Sequence, residues 1–215
     1  MALKFTEING EAKKSNADYL KFVDGTNTFR LVGEVLPRYV YWKKTPDGSK
    51  TMFVECLSFD RDQEKFTNVE TDHFSNMFPD ERCSWAYVVQ AIDRTDGKLK
   101  VVALKKRMFE AVVDTAKKHL GDPTDVESGW DIVVERKKTG PLAYNVEYNL
   151  DVLSLKQSPL SDEDKALVAD LKPIEDLFPR QTPEEQKAYI DKVWGNGSPD
   201  EDEQDDNDNS DDIPM

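Results

Sequence analysis

The residues of this 215-residue chain best suited to chemistry are aromatic rings set beside cations. In RYVYWKK (38–44), strand alternation puts Arg38, Val40, Trp42 and Lys44 on one face and Tyr39, Tyr41 and Lys43 on the other. Trp85 and Tyr87 share a face of SWAYVVQAI (84–92). Lys105, Lys106 and Arg107 are consecutive cations in ALKKR (103–107), and Arg136, Lys137 and Lys138 stand at the mouth of a hairpin with Tyr144 just past it. Cations that track a phosphate backbone, together with rings that stack on bases, hold single-stranded nucleic acid without reading its sequence. Any one of these rings also suits an ordinary core with a solvated lysine rim. It is their clustering on predicted strands that favours binding.

Catalytic constellations are poor by comparison. The chain has no G-x-S-x-G, no phosphate-binding glycine loop and no H-E-x-x-H. Cys56, His73, Cys83 and His119 are its only soft metal ligands, and no two have zinc-site spacing. Acidic pairs such as Asp60 and Asp62 arise by chance in a charged loop. No catalysis, metal or cofactor is expected. Two cysteines do not make a disulfide framework and read as reduced thiols in a cytoplasmic protein. Residues 1–14 lack the apolar stretch of a secretory leader, and nothing approaches the roughly 18 apolar residues of a membrane span.

The elements that must position these residues are mostly strands. Residues 19–32 read as two short strands around a turn at 24–27, and 38–59 as a long hairpin turning at Pro46-Asp47-Gly48. Residues 60–82 read as a charged insertion loop. Two runs, 84–92 and 98–104, flank an Asp-Gly turn, and a helix follows in which Met108, Phe109, Val112, Val113, Ala116 and Leu120 recur at 3.6-residue spacing until Gly121. A last hairpin joins 130–138 to 143–155, with Tyr144, Val146, Tyr148, Leu150 and Val152 on one face. Ser161 and Thr182 open two closing helices, the second with Pro183 at its first position and Glu185 at its third. Strands in hairpins with one late helix suggest a mainly β fold with added helices, the five-stranded oligonucleotide-binding (OB) barrel. A β-sandwich with an inserted helix shares that pattern.

The formal charge of −14 is unevenly spread. Residues 1–160 carry 24 Lys plus Arg against 25 Asp plus Glu, so a basic face on the folded part is compatible with an acidic chain. Residues 198–215 hold nine acids, no Lys or Arg, and one aliphatic residue, Ile213. Too little apolar surface is present to offset the entropy of ordering, so a disordered acidic tail is expected after an ordered domain spanning 1–197. The tail mimics a run of phosphates, and its tip (Asp211, Asp212, Ile213, Pro214, Met215) reads as a docking peptide for a basic-rimmed pocket on a partner. An acidic DNA mimic that inhibits a host enzyme is an alternative, though the near-neutral 1–160 does not support it. A small metal-dependent hydrolase is a third, recommended only by the acid count.

The blocks FRLVGEVLPRYVYWKK with TMFVEC, SWAYVVQAI, GKLKVVALKKRMFEAV, GWDIVVERKKTGPLAYNVEYNL and TPEEQKAYIDKVWG, in that order before an acidic tail, resemble the single-stranded-DNA-binding proteins of tailed phages, of the T-even helix-destabilising type. The resemblance covers roughly residues 19–195. It implies an OB barrel, no catalysis, and coating of single-stranded DNA during replication, recombination and repair in the cytoplasm of the infected bacterium. By that resemblance Trp85 and Tyr144 stack on bases, Lys105 and Lys106 form the basic pair at the start of the family's helix, and the tail engages replication and recombination proteins. T-even members hold zinc through a Cys/His cluster after the block matching TMFVEC. Here 57–82 offers only His73, so no zinc is implied. The tip DDIPM is similar to the Ile-Pro-Phe tip of the bacterial single-stranded-DNA-binding proteins, with Met215 in place of Phe.

Overall fold

A computed structural model describes residues 17–142 and 145–195. The first strands in chain order are β1 (Gly25–Leu36), β2 (Tyr39–Lys44), β3 (Thr51–Glu55), β4 (Phe59–Asp60) and β5 (Lys65–Phe66). After helix α1 (His73–Met77) come β6 (Ser84–Trp85), β7 (Val88–Asp93) and β8 (Leu99–Ala103). Helix α2 (Lys106–Thr115), prolonged by a π-helical turn over Ala116–Leu120, leads to β9 (Ile132–Lys138) and β10 (Val146–Leu150). Helices α3 (Asp162–Ala169), α4 (Ile174–Leu177) and α5 (Pro183–Trp194) follow. The fold is therefore mainly β, with an antiparallel sheet in the order β10-β9-β1-β7-β8, a three-stranded sheet β3-β2-β6 and the small pair β4-β5.

The two larger sheets share one bent pair of strands. Leu36 lies opposite Val88, and Tyr39 opposite Trp85, so the register of β1 against β7 continues unbroken into β2 against β6. Pro37, which has no N–H to give a ladder, falls in the gap. There the Ala86 amide donates to the Arg38 carbonyl at 3.0 Å, and Arg38 Nε donates to the Ala86 carbonyl at 3.2 Å. A bulge between Val32 and Val35 adds further curvature. Gly33 in that bulge has φ +72°, the left-handed region that favours glycine, and a Cβ on it would also push on the end of the Leu171 side chain, Cδ2 at 2.6 Å. Among the described residues, ladder hydrogen bonds do not close the sheets into the expected barrel.

Both faces of the β1–β7 pair are covered, which is why VVQAID of β7 is buried throughout. One face puts Phe29, Leu31, Val89 and Ala91 against Met108 and Val112 of α2 and against Trp130. The other puts Val32 and Ile92 against Leu160, and Leu36 and Val88 against Ile174. A separate core under β3-β2-β6 is rich in rings: Tyr41, Phe59, Phe74 and Tyr87, closed by Ile190 of α5.

The hairpins at 39–55 and 88–103, and the helix stopped by Gly121, agree with the sequence. So do the Ser161 cap and the full capping box of Thr182 with Glu185. Three expectations are corrected. Residues 19–32 are not a hairpin: β1 is one strand from Gly25, while the segment before it lies along β8, Leu20 donating to the Val101 carbonyl and Val101 to that of Asp18. It shields the outer edge of β8. The insertion at 60–82 holds β5 and α1, the latter capped by Asp72. The last strand ends at Leu150, where a 3₁₀ turn over Val152–Ser154 takes Val152 off the predicted face.

Candidate nucleic-acid interface

The aromatic residues gather where the bent strand pair crosses from one sheet to the other. Trp85 stacks on Tyr87, ring centroids 3.4 Å apart and planes 13° apart, and its Nε1 donates to the Leu104 carbonyl at 3.0 Å. Tyr39 stands edge-on to Trp85 and to Phe66, and packs on Phe59. Phe109 of α2 closes the cluster against Trp85 and Tyr87. Tyr39 and Trp85 keep partial exposure, and Phe66 is 53% exposed.

Three residues expected on a binding surface have their side chains inside. Arg38 is buried, with its guanidinium over the Phe178 ring at 4.4 Å, and burial lowers its pKa. Tyr41 stacks on Phe74 and donates to Asp72 at 3.2 Å. Burial raises its pKa, helped by the Cys56 thiol 3.3 Å away. Tyr87 is buried and donates to Glu64 at 2.6 Å; burial and that bond raise its pKa, so it stays a protonated donor. Alternation correctly separates the faces of RYVYWKK, but one of those faces lies against α1 and α5, which local pattern does not reveal.

From Trp85 the cluster runs into a line of cations. Leu104, which accepts the indole N–H, is followed by Lys105, the N-cap of α2, which makes no side-chain capping bond. Lys105 Nζ lies 5.4 Å from the centroid of Tyr148 on β10, and burial lowers its pKa. Tyr148 sits opposite Arg136 of β9, and Arg136 pairs with Asp24. Lys138, opposite Val146, falls on the same face as Arg136 and Tyr148, whereas Lys137, opposite Glu147, falls on the reverse face. Lys106 and Arg107 are exposed in the first turn of α2, which contains no acid, and Lys106 reaches Glu110 only at 3.9 Å. Cations there oppose the helix dipole, so an anion bound at this end relieves the repulsion. Trp85, Lys105, Tyr148 and Arg136 thus form one continuous strip drawn from four elements.

The β2–β3 hairpin is a second aromatic surface. Lys43 is committed to Glu81 at 2.6 Å and lies over the Phe78 ring. Lys44 is exposed, and its carbonyl accepts from Trp194 Nε1 at 2.9 Å. Trp42 faces Phe53 across the hairpin. Sequence reasoning missed Tyr148, Phe53 and Phe66 as surface rings. For Tyr148 the available signal was Arg136 directly across the ladder; for Phe53, its place opposite Trp42.

Tyr144 and the tip residues Asp211, Asp212, Ile213, Pro214 and Met215 lie outside the described residues. Among the described residues no group of three or more His, Cys, Asp or Glu is placed to hold a metal ion, and no helix is long and apolar enough to cross a membrane. Cys56 and Cys83 are free thiols, and their mutual interaction raises the pKa of Cys56, with burial, and lowers that of Cys83.

No family model matches the chain. A curated protein of Escherichia phage T5, described as a probable ssDNA-binding protein, is 32% identical over 190 residues, covering 80% of this chain and 70% of that protein. Likeness of that extent shows that this chain belongs to the phage single-stranded-DNA-binding protein family that the phage T5 protein represents.

Proposed function

We propose that this protein binds single-stranded DNA without sequence preference and without catalysis, coating and protecting it during phage replication, recombination and repair in the cytoplasm of the infected bacterium. The name carried by the phage T5 relative supports the ligand. The observation that carries the location is the strip in which Trp85, Lys105, Tyr148 and Arg136 alternate ring and cation. Bases stack on Tyr148 and Tyr39 and pack against the exposed part of Trp85, while Lys105, Lys106, Arg107, Arg136 and Lys138 follow the phosphates. The five-stranded antiparallel sheet, its bent strand pair and α2 between β8 and β9 support reading the domain as an OB-type barrel.

The acidic segment 198–215 serves in this reading as a competitor for the cationic strip, and its tip as the docking peptide for replication and recombination proteins. Trp194 bonded to Lys44 places the end of α5 beside the β2–β3 hairpin. Titration with fluorescent oligo-dT at low and high salt tests the ligand. Tight binding at low salt, weakened by salt and by competing single strands rather than duplex, is the expected result; no binding at low salt refutes it. Tyr148→Ala tests the location: base stacking of about 1–3 kcal/mol predicts roughly 5- to 150-fold weaker binding.

A further inference from the structure

The outer face of the β2–β3 hairpin carries two rings that the fold does not use. Trp42 and Phe53 sit directly opposite each other, centroids 5.8 Å apart, on the reverse face of the sheet from Tyr39 and Trp85. Phe53 is 52% exposed and Trp42 partly so. Deeper on the same face the next pair, Val40 and Glu55, is buried, with Glu55 gripped by Arg61 at 2.6 Å and by Arg180 at 3.3 Å. Nearer the tip the next pair is Lys44 and Thr51, both exposed. The ring pair therefore has a rigid base on one side and an open, polar rim on the other.

Charge identifies the occupant. Lys43 points to the other face and pairs with Glu81, which leaves Lys44 and Lys50 in the segment 42–53 against one acid, Asp47. The Asp47 carboxylate is turned inward to the Ser49 amide at 3.0 Å and the Ser49 hydroxyl at 2.7 Å. Two rings flanked by lysines, without an aliphatic surround, are too small and too cationic for a protein interface core, which needs about 800 Å² on each partner. They suit a planar base carried on a phosphate chain. The Trp194 bond to the Lys44 carbonyl holds the hairpin in place from α5, so the platform is built before any ligand arrives.

We infer that Trp42 and Phe53 form a second base-stacking platform for single-stranded DNA, on the opposite face of the three-stranded sheet from the Trp85–Tyr148 strip. This rests on the proposed function. It adds that one protomer engages a strand at two separated places. Phe53 and Trp42 contribute through their ring faces, and Lys44 and Lys50 through phosphate attraction.

The test compares oligo-dT long enough to exceed a single OB-type site, about 16 nucleotides, with an abasic strand of the same length. Both are titrated against the full chain and its Phe53→Ala, Phe53→Leu and Phe53→Tyr variants. Because Phe53 is half exposed, its removal leaves no core cavity; Phe53→Leu keeps apolar bulk on the strand if alanine destabilises the hairpin. Stacking predicts about 5- to 150-fold weaker oligo-dT binding by the alanine and leucine variants, near-native binding by the tyrosine variant, and unchanged abasic binding in all three. Equal oligo-dT affinity in wild type and Phe53→Leu overturns the platform while leaving the main strip standing. Equal losses on oligo-dT and abasic strand overturn it too, since the ring would then not be stacking on bases. A wild-type chain that binds no oligo-dT removes the proposed function and this inference together.

Discussion

The core under the five-stranded sheet and the core under β3-β2-β6 are held together by different means. The first is largely aliphatic, built on four ladders of five or more residues, and its largest ring system, Trp130, is 0% exposed with Nε1 bonded to the Gly121 carbonyl. The second is built from rings under a sheet of only three strands and braced by buried polar side chains. Asp72 accepts from the Leu57 and Ser75 amides and from Tyr41, and Gln186 donates to the Glu55 carbonyl while accepting from the His73 amide. Arg180 donates to the carbonyls of Leu57 and Phe59. A half with little ladder must satisfy its backbone by side chains. Its rings also reach the surface, because its strands are too few to enclose them. The strip of rings and cations therefore joins Trp85 of the second half to Lys105, Tyr148 and Arg136 of the first.

Truncating the scaffold should have the largest effect. Trp130→Ala should cost about 3–5 kcal/mol of unfolding free energy, the usual loss for a fully buried large ring, read by chemical denaturation. A loss no greater than the roughly 0.5 kcal/mol of a surface change would break the assignment of stability to this half. Gln186→Ala should cost less, about 1–3 kcal/mol, by stranding the His73 amide and the Glu55 carbonyl. Its signature is local: faster amide exchange in β3 and α1, with β7 and β9 unchanged. Uniform acceleration across both sheets would mean that the two cores are one cooperative unit.

On the binding side the two lysines at the end of β9 should separate. Lys138 shares a face with Arg136 and Tyr148, and Lys137 does not. Lys138→Ala should flatten the plot of log affinity against log salt by about 0.7, the value of one phosphate contact on a single strand. Lys137→Ala should leave the slope unchanged. The reverse result would move the strand to the other face of the β9–β10 hairpin.

How much of this was legible in the sequence follows the same division. The hairpins turning at Asp47-Gly48 and Asp96-Gly97, the 3.6-residue stripe of α2 and the Thr182 capping box are local signals, and local signals survive folding. The interior placement of Tyr41 depends instead on α1 and α5 covering one face of the sheet, that of Arg38 on Phe178 after α4, and that of Tyr87 on Phe109 of α2 and on Glu64. No period in 38–44 or 84–92 carries that information. Tyr148 joins the strip only because β10 pairs with β9 in a register that brings it to Arg136 and under Lys105. The continuity of β1 into β2 across Pro37 is likewise a pairing fact: proline there reads as a strand end, and the ladder resumes past it in the same register.

Lys105 offers the smallest and most specific test, because its environment sets opposite signs for binding and for stability. Burial at the head of α2 disfavours its charged form and lowers its pKa below the ordinary lysine value, about 10.4. As pH rises, Lys105 therefore loses its proton before a surface lysine does, and oligo-dT affinity should begin to fall at a lower pH than exposed lysines alone would set. Between its folded and unfolded pKa values the unfolded chain holds the proton and the folded chain does not, so over that same window stability from this group rises with pH. Affinity and stability should thus move in opposite directions. A phosphate placed beside Lys105 restores its proton, so in the same window binding should take up protons, seen by calorimetry as a dependence of the binding heat on the buffer. Lys105→Arg, charged at every accessible pH, should abolish both the early fall in affinity and the proton uptake. If the arginine variant follows the wild-type pH profile, Lys105 does not contact the strand, and the line of cations must be drawn from Lys106 and Arg107 instead.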